Sequence, residues 1–236
     1  MTAPIERTIT MLDLTTLTGS ESEAEIADIC ERAQSPRGNV AAVCVFPAYV
    51  AQCVRELEGT GIAVAAVANF PGGDLDADAA VRDAAAAVQA GAGEVDVVLP
   101  WRAWLDGDHD GALAVVEATR KATPGVLKVI LESGSFPDVS AIRDAADAVL
   151  AAGADFVKTS TGKHGAGATP EAARAMLEAI RSAGHGGFKA SGGVRTAQDA
   201  DAYVSLAEDV LGAGWTTPET FRIGASSLLD DLLSTV

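Results

Sequence analysis

The stretch "PDVSAIRDAADAVLAAGADFVKTSTGK" (137–163) contains one complete turn of the chain's architecture. Val139, Ile142, Val149 and Leu150 recur at helical spacing, and Gly153 follows where a helix would stop. The short apolar run "DFVKTS" then reads as a buried strand, although it carries a lysine. A helix feeding a strand through a glycine turn is the motif of a parallel sheet.

The same alternation extends in both directions. Strand candidates are "TITMLDL" (8–14), "VAAVCVF" (40–46), "IAVAAVANF" (62–70), "EVDVVLP" (94–100), "VLKVILE" (126–132), "DFVKTS" (155–160), "GFKASG" (187–192) and "FRIGAS" (221–226). Alanine-rich helical patterns fill the intervals, at 21–34, 48–59, 76–91, 107–122, 137–153, 169–184 and 196–212, with a closing one at 226–236. Eight strand–helix units in 236 residues predict an α/β protein, a (β/α)8 TIM barrel, formed as a single domain over residues 1–236. No linker, low-complexity tract or composition break argues for a second domain.

Composition narrows the function. Hydrophobic residues make up 48% and aromatics only 5%, so the core is aliphatic. A formal net charge of −16 without a basic block argues against nucleic acid and anionic membrane partners. The first ten residues lack the pattern of a signal peptide, and no apolar run is long enough to span a bilayer, so a cytoplasmic protein is expected. Cys30, Cys44 and Cys53 lack metal-ligand spacing and read as buried free thiols in a reducing compartment. His109, in "DGDHDG", reads as a solvated helix start. His164 and His185 lie in glycine-rich turns, and no three-ligand metal set is visible. Ser226 and Ser227 have no evident histidine partner for a hydrolase triad. "STGKHG" is not a phosphate-binding P-loop, because Val157 and His164 stand where that pattern needs Gly and Ser or Thr. Trp101, Trp104 and Trp215 read as packing anchors.

The lysines carry the functional signal. There are five, Lys121, Lys128, Lys158, Lys163 and Lys189, and only Lys121 sits where a surface helix-end lysine is expected. Asp13, Cys44, Asn69, Asp96, Lys128, Lys158, Lys189 and Arg222 each fall in or near the end of one strand candidate. Their intervals are 31, 25, 27, 32, 30, 31 and 33 residues, about one βα unit each. Strand side chains alternate between faces, so residues in matching phase can share the barrel interior. Asp96, Lys128, Lys158 and Lys189 would then converge from four successive strands. A free lysine is neutral in only about one molecule in two thousand at pH 7, whereas burial and a neighbouring cation both favour the neutral, nucleophilic amine. Lys158 and Lys189 meet that requirement, with Asp96 placed to move protons. The competing reading is a salt-bridged network with no catalytic role; Lys128 in particular fits an ion pair with Asp96 or Glu132 as well as a place in the substrate site.

A second constellation is rich in glycine and hydroxyls. "KASGGVRT" (189–196) follows the seventh strand and "IGASSLL" (223–229) follows the eighth, where barrels commonly hold phosphate. Gly192, Gly193, Gly224, Ser226 and Ser227 are the candidate phosphate residues.

Together, "LDLTTL", "EVDVVLPWRA", "LKVILESG", "ADFVKTSTGK", "GFKASGGVRT" and "RIGASSLL" resemble the landmarks of the deoxyribose-phosphate aldolases, in order and over residues 13–229. The resemblance implies a metal-free, cofactor-free class I aldolase on a TIM barrel. Such an enzyme interconverts 2-deoxy-D-ribose 5-phosphate with acetaldehyde and D-glyceraldehyde 3-phosphate. It assigns Lys158 as the Schiff-base lysine, Lys189 as the lysine that perturbs it and Asp96 as the proton-shuttling acid. It places Asp13, Thr15 and Cys44 along the substrate site, to which Gly162 also belongs, and Lys163, Gly192, Gly193, Ser226 and Ser227 near the phosphate. A homodimer is expected from the same resemblance. The sequence departs from some members in ending at "LLSTV", without a longer tail carrying a terminal tyrosine, and in its strong acidity. Two other readings are another lysine-dependent sugar-phosphate aldolase or transaldolase, and a catalytically silent sugar-phosphate-binding protein.

Overall fold

The computed structural model describes residues 4–234. Eight parallel strands close into a barrel: β1 (Leu12–Thr15), β2 (Ala42–Val45), β3 (Ala63–Ala68), β4 (Glu94–Val98), β5 (Val126–Ile130), β6 (Phe156–Lys158), β7 (Gly187–Ser191) and β8 (Phe221–Ala225). Each pairs with its sequence neighbours, and β1 closes the ring against β8 and β2. The eight-strand barrel expected from the sequence is present.

Helix boundaries follow the caps in the sequence. Asp76, Asp108, Asp138 and Thr169 each accept a hydrogen bond from a backbone N–H of the helix they open, and Ser22 and Thr196 form reciprocal capping boxes. Each such cap stabilises its helix by about 1 kcal/mol. His109 begins a helix, as expected, and stacks on Trp104 with ring centroids 4.1 Å apart.

Three local features differ from the sequence reading. The first strand is shorter than 8–14, because Ile5–Thr10 is a helix that packs Ile9 into the core one turn after Ile5. The alternation of Thr and apolar residues there imitates a strand, but the i, i+4 apolar pair prevails. A small hairpin, Gln34–Ser35 with Gly38–Asn39, takes Gln34 from the end of the expected helix 21–34, and a one-turn helix, Trp101–Leu105, occupies a segment to which the sequence assigns no element. Thr235 and Val236, the end of the closing helical pattern, lie outside the described residues.

Alternation along the strands separates two interiors. Leu12, Leu14, Val43, Val45, Val95, Val97, Leu127, Val129, Val157, Phe188, Phe221 and Ile223 join the layer packed beneath the helices. The intervening residues fill the barrel. On the β2–β3 side these are apolar, with Ala42, Cys44, Ala65 and Val67 packing with Leu17 as a separate cluster. From β4 round to β1 they include the charged residues, together with Val98, Ile130 and Phe156. The strand register puts Asp96 beside Lys128, and Lys158 beside Lys189, which in turn lies beside Arg222.

Candidate active site

Seven ionisable side chains from six strands meet inside the barrel. Lys128 Nζ donates to Glu94 Oε2 at 2.5 Å and to Asp96 Oδ1 at 2.8 Å, and lies 3.6 Å from Asp13 Oδ2. Lys189 Nζ donates to Asp13 Oδ2 and, at 2.8 Å, to Asp96 Oδ2. Arg222 bridges Asp13 Oδ1 at 2.7 Å and Glu94 Oε1 at 2.9 Å. Lys158 Nζ donates to Asp96 Oδ2 at 2.7 Å, the oxygen that Lys189 also uses. Asp13, Asp96, Lys128 and Lys189 are wholly buried, and Lys158 is 2% exposed.

The charge balance distinguishes the lysines. Four cations face three carboxylates, so the fully ionised cluster carries one excess positive charge. Lys128 contacts three carboxylates and Lys189 two, whereas Lys158 has only a share of Asp96. Burial lowers the pKa of Lys158 below the ordinary lysine value, and the Lys189 ammonium adds to that effect against the attraction of Asp96. Burial acts the same way on Lys128 and Lys189, but there the carboxylates outweigh it and both are raised. Asp96 is held well below the carboxylate range because its three lysines overcome its burial, and Asp13 is lowered likewise by Lys189, Lys128 and Arg222. Lys158 is therefore the lysine of the three that most readily gives up its proton.

Above the cluster opens a cavity of about 280 Å³ at the C-terminal ends of β1, β6, β7 and β8. Thr15, Gly162, Lys163, Gly192, Gly193, Gly224, Ser226 and Ser227 all line it, as do Thr161, Ser191 and Arg195, which sequence reasoning did not select. Gly224 joins cavity and cluster. A Cβ at that position would stand 2.8 Å from Ser191 Oγ and 3.0 Å from Lys189 Cε, so only glycine leaves both side chains in place. Gly192 has a positive φ of 86°, and its carbonyl oxygen lies where a Cβ on Gly167 would be, so the loop after β6 rests directly on the loop after β7.

The remaining candidates separate by position. Asp13, Cys44 and Lys128 are fully buried in the barrel interior and do not line the cavity. Burial and then Asp96 raise the pKa of the Cys44 thiol, which keeps it protonated. The expected pairing of Lys128 with Asp96 is present, but the alternative with Glu132 is not: Glu132 accepts hydrogen bonds from Thr161. Asn69 does not reach the cluster, because its side chain bonds Asp74 and the Val98 carbonyl oxygen from a left-handed backbone. Glu94 and Arg222 are full members of the charge network that received no role from the sequence. The signal for Glu94 was its spacing from Asp96, two residues apart on one strand and so on one face. Among the described residues no cluster of His, Cys, Asp and Glu has the arrangement of a metal site, and no described helix is long and apolar enough to cross a membrane.

Comparison with known proteins agrees with this geometry. The model of the DeoC/LacD family aldolases matches residues 7–234. Deoxyribose-phosphate aldolase of Agrobacterium fabrum is 46% identical over 232 residues, covering 96% of this chain and 89% of that protein. Among solved structures, the tetrameric deoxyribose phosphate aldolase of Aeropyrum pernix superposes with a TM-score of 0.81 at 26% identity, over 98% of this chain and 93% of the other. QR15, an aldolase, superposes with a TM-score of 0.82 at 28% identity, over 96% of each chain. With the closed barrel, the buried lysines and a match along nearly the whole chain, this protein belongs to the DeoC/LacD family of aldolases.

Proposed function

We propose that the protein is a class I aldolase that reversibly cleaves 2-deoxy-D-ribose 5-phosphate to acetaldehyde and D-glyceraldehyde 3-phosphate, with Lys158 as nucleophile, as a step in deoxyribose catabolism. The observation that carries the assignment of Lys158 is its partner count: of the three buried lysines it alone has a single carboxylate partner, through an oxygen that Lys189 also uses. The neutral amine attacks the C1 aldehyde carbon of the open-chain sugar, and loss of water from the carbinolamine gives an iminium ion. Asp96 then takes the proton of the C3 hydroxyl, which breaks the C2–C3 bond, and later returns it at C2. The bonding electrons pass to the iminium, leaving an enamine on Lys158 and releasing glyceraldehyde 3-phosphate. Protonation of the enamine at C2 and hydrolysis return acetaldehyde and the free amine.

Asp96 receives the proton of the attacking amine, since its carboxylate is ionised at rest and lies 2.7 Å from Nζ. Lys189, on the same oxygen, keeps Lys158 neutral and supplies a proton to the departing hydroxyl. Lys128, Glu94, Asp13 and Arg222 fix the positions of these two groups. The phosphate lies in the cavity among Gly162, Lys163, Gly192, Gly193, Gly224, Ser226 and Ser227, with Thr15 beside it and Arg195 as a further cation at the rim. That places one local binding region for an anion on a chain whose overall charge repels it. The chain works as one barrel domain in the cytoplasm, without metal or cofactor, and as a homodimer, which light scattering can distinguish from a tetramer.

The assay that tests the activity follows product formation from acetaldehyde and D-glyceraldehyde 3-phosphate. Formation of 2-deoxyribose 5-phosphate is expected. Turnover only with a ketose donor would assign the barrel to a different lysine-dependent aldolase, and saturable sugar-phosphate binding without product would make it a silent binding protein.

A further inference from the structure

Glu132 is a buried acid that the reaction does not use. Its side chain is wholly buried, and its backbone is left-handed, at φ 58° and ψ 50°, directly after β5. It belongs to neither the charge network nor the cavity lining. One oxygen, Oε2, accepts from both the backbone N–H of Thr161, at 3.2 Å, and the Thr161 hydroxyl, at 2.5 Å. The Thr161 hydroxyl oxygen in turn accepts from the Lys163 backbone N–H at 3.0 Å. The other carboxylate oxygen, Oε1, has no hydrogen-bond partner among the described residues.

This arrangement is a poor one for stability alone. A wholly buried acid with an unmatched oxygen and, among the described residues, no ion-pair partner is disfavoured against an apolar side chain of the same size. What it accomplishes is local. The segment Thr161–Gly162–Lys163 lines the cavity, and its far arm, at Ala168, bonds the Gly192 carbonyl oxygen at 2.9 Å. Glu132 ties the loop at Thr161 and Gly192 ties it at Ala168, so the stretch 161–168 that contains the turn is held against its neighbours at both ends.

We propose that Glu132 is a positioning residue that sets the Thr161–Lys163 turn and thereby controls how well the site discriminates for a phosphate-bearing substrate. The inference rests on the reading that this cavity takes the phosphate. Its test compares kcat/KM for 2-deoxyribose 5-phosphate with kcat/KM for unphosphorylated 2-deoxyribose, and the ratio of the two is the readout. In Glu132→Ala the ratio should fall at least tenfold, mainly through a higher KM for the phosphorylated sugar. Glu132→Gln should restore most of it, since an amide oxygen can accept both Thr161 hydrogen bonds. Should the alanine variant not fold, Glu132→Asp keeps a buried acid but draws its carboxyl group back by one methylene, and the ratio should fall there too. A purely structural role would lower both substrates' kcat/KM together and leave the ratio unchanged, which would overturn the proposal. Lys163→Met separates the two levels. A ratio that falls in Lys163→Met but not in the Glu132 variants refutes only the positioning role, whereas a ratio unmoved in all of them refutes the phosphate assignment itself.

Discussion

Replacing Lys189 by methionine should inactivate the enzyme at neutral pH by protonating Lys158. Both ammonium groups bond the same Asp96 oxygen, at 2.7 and 2.8 Å, so their nitrogens are at most about 5.5 Å apart. At an effective dielectric constant of about 20, two unit charges at that separation repel by about 3 kcal/mol. Losing that repulsion favours the ammonium form of Lys158 by roughly a hundredfold, because each 1.36 kcal/mol is a factor of ten. Methionine nearly fills the lysine volume, and Asp13 keeps Arg222 and Lys128 as partners, so the barrel should stay folded. The sign then fixes the pH profile. Removing a nearby cation raises the pKa of Lys158, so the variant needs a higher pH to reach the same neutral fraction. The assay is kcat/KM for 2-deoxyribose 5-phosphate across pH 6 to 10, with circular dichroism as the check on folding. The variant should be down roughly a hundredfold near pH 7, and its ratio to the parent should climb steadily as pH rises. An equal loss at every pH would refute the electrostatic argument and leave Lys189 a role in proton transfer alone. No loss at neutral pH would refute both.

Lys128→Met should keep every carboxylate paired, since Glu94 retains Arg222 and Asp96 retains Lys158 and Lys189. The expected destabilisation is therefore about 3 kcal/mol, for two lost charge-assisted hydrogen bonds, and not the larger penalty of an orphaned buried charge. Chemical denaturation measures it, and an unchanged midpoint would show that Lys128 does not brace the cluster. Gly224→Ala should cut activity at least tenfold with little change in overall structure, because its Cβ would displace Ser191 and Lys189; near-normal kcat/KM would show that these two side chains give way without cost to the reaction.

Much of this site is legible in the sequence because a barrel turns linear spacing into convergence. Intervals of about one βα unit between Asp96, Lys128, Lys158 and Lys189 predict that they meet if their strands are in phase, and the strand register supplies that phase. Spacing cannot say which lysine is least compensated. That depends on how three carboxylates are shared among four cations, and hence on Glu94 and Arg222, whose part emerges only once strand phase is fixed. The start of the first strand is ambiguous in sequence because Thr8, Ile9, Thr10 and Met11 alternate like a strand, while Ile5 and Ile9 sit one helical turn apart. Of the two partners the sequence offers Lys128, Asp96 and Glu132, only Asp96 bonds it; Glu132 is four residues from Lys128. On a strand that spacing puts them on the same face but too far along it, and the left-handed turn at Glu132 sends its side chain to the next loop instead.

The central claim is that Lys158 is the nucleophile because it is the lysine the cluster leaves under-compensated. Borohydride reduction in the presence of 2-deoxyribose 5-phosphate, followed by peptide mass mapping, tests it directly. The account predicts a reduced adduct on Lys158 that is absent without substrate and absent in Lys158→Ala. An adduct on Lys128 or Lys189, or none at all on folded protein, would contradict it.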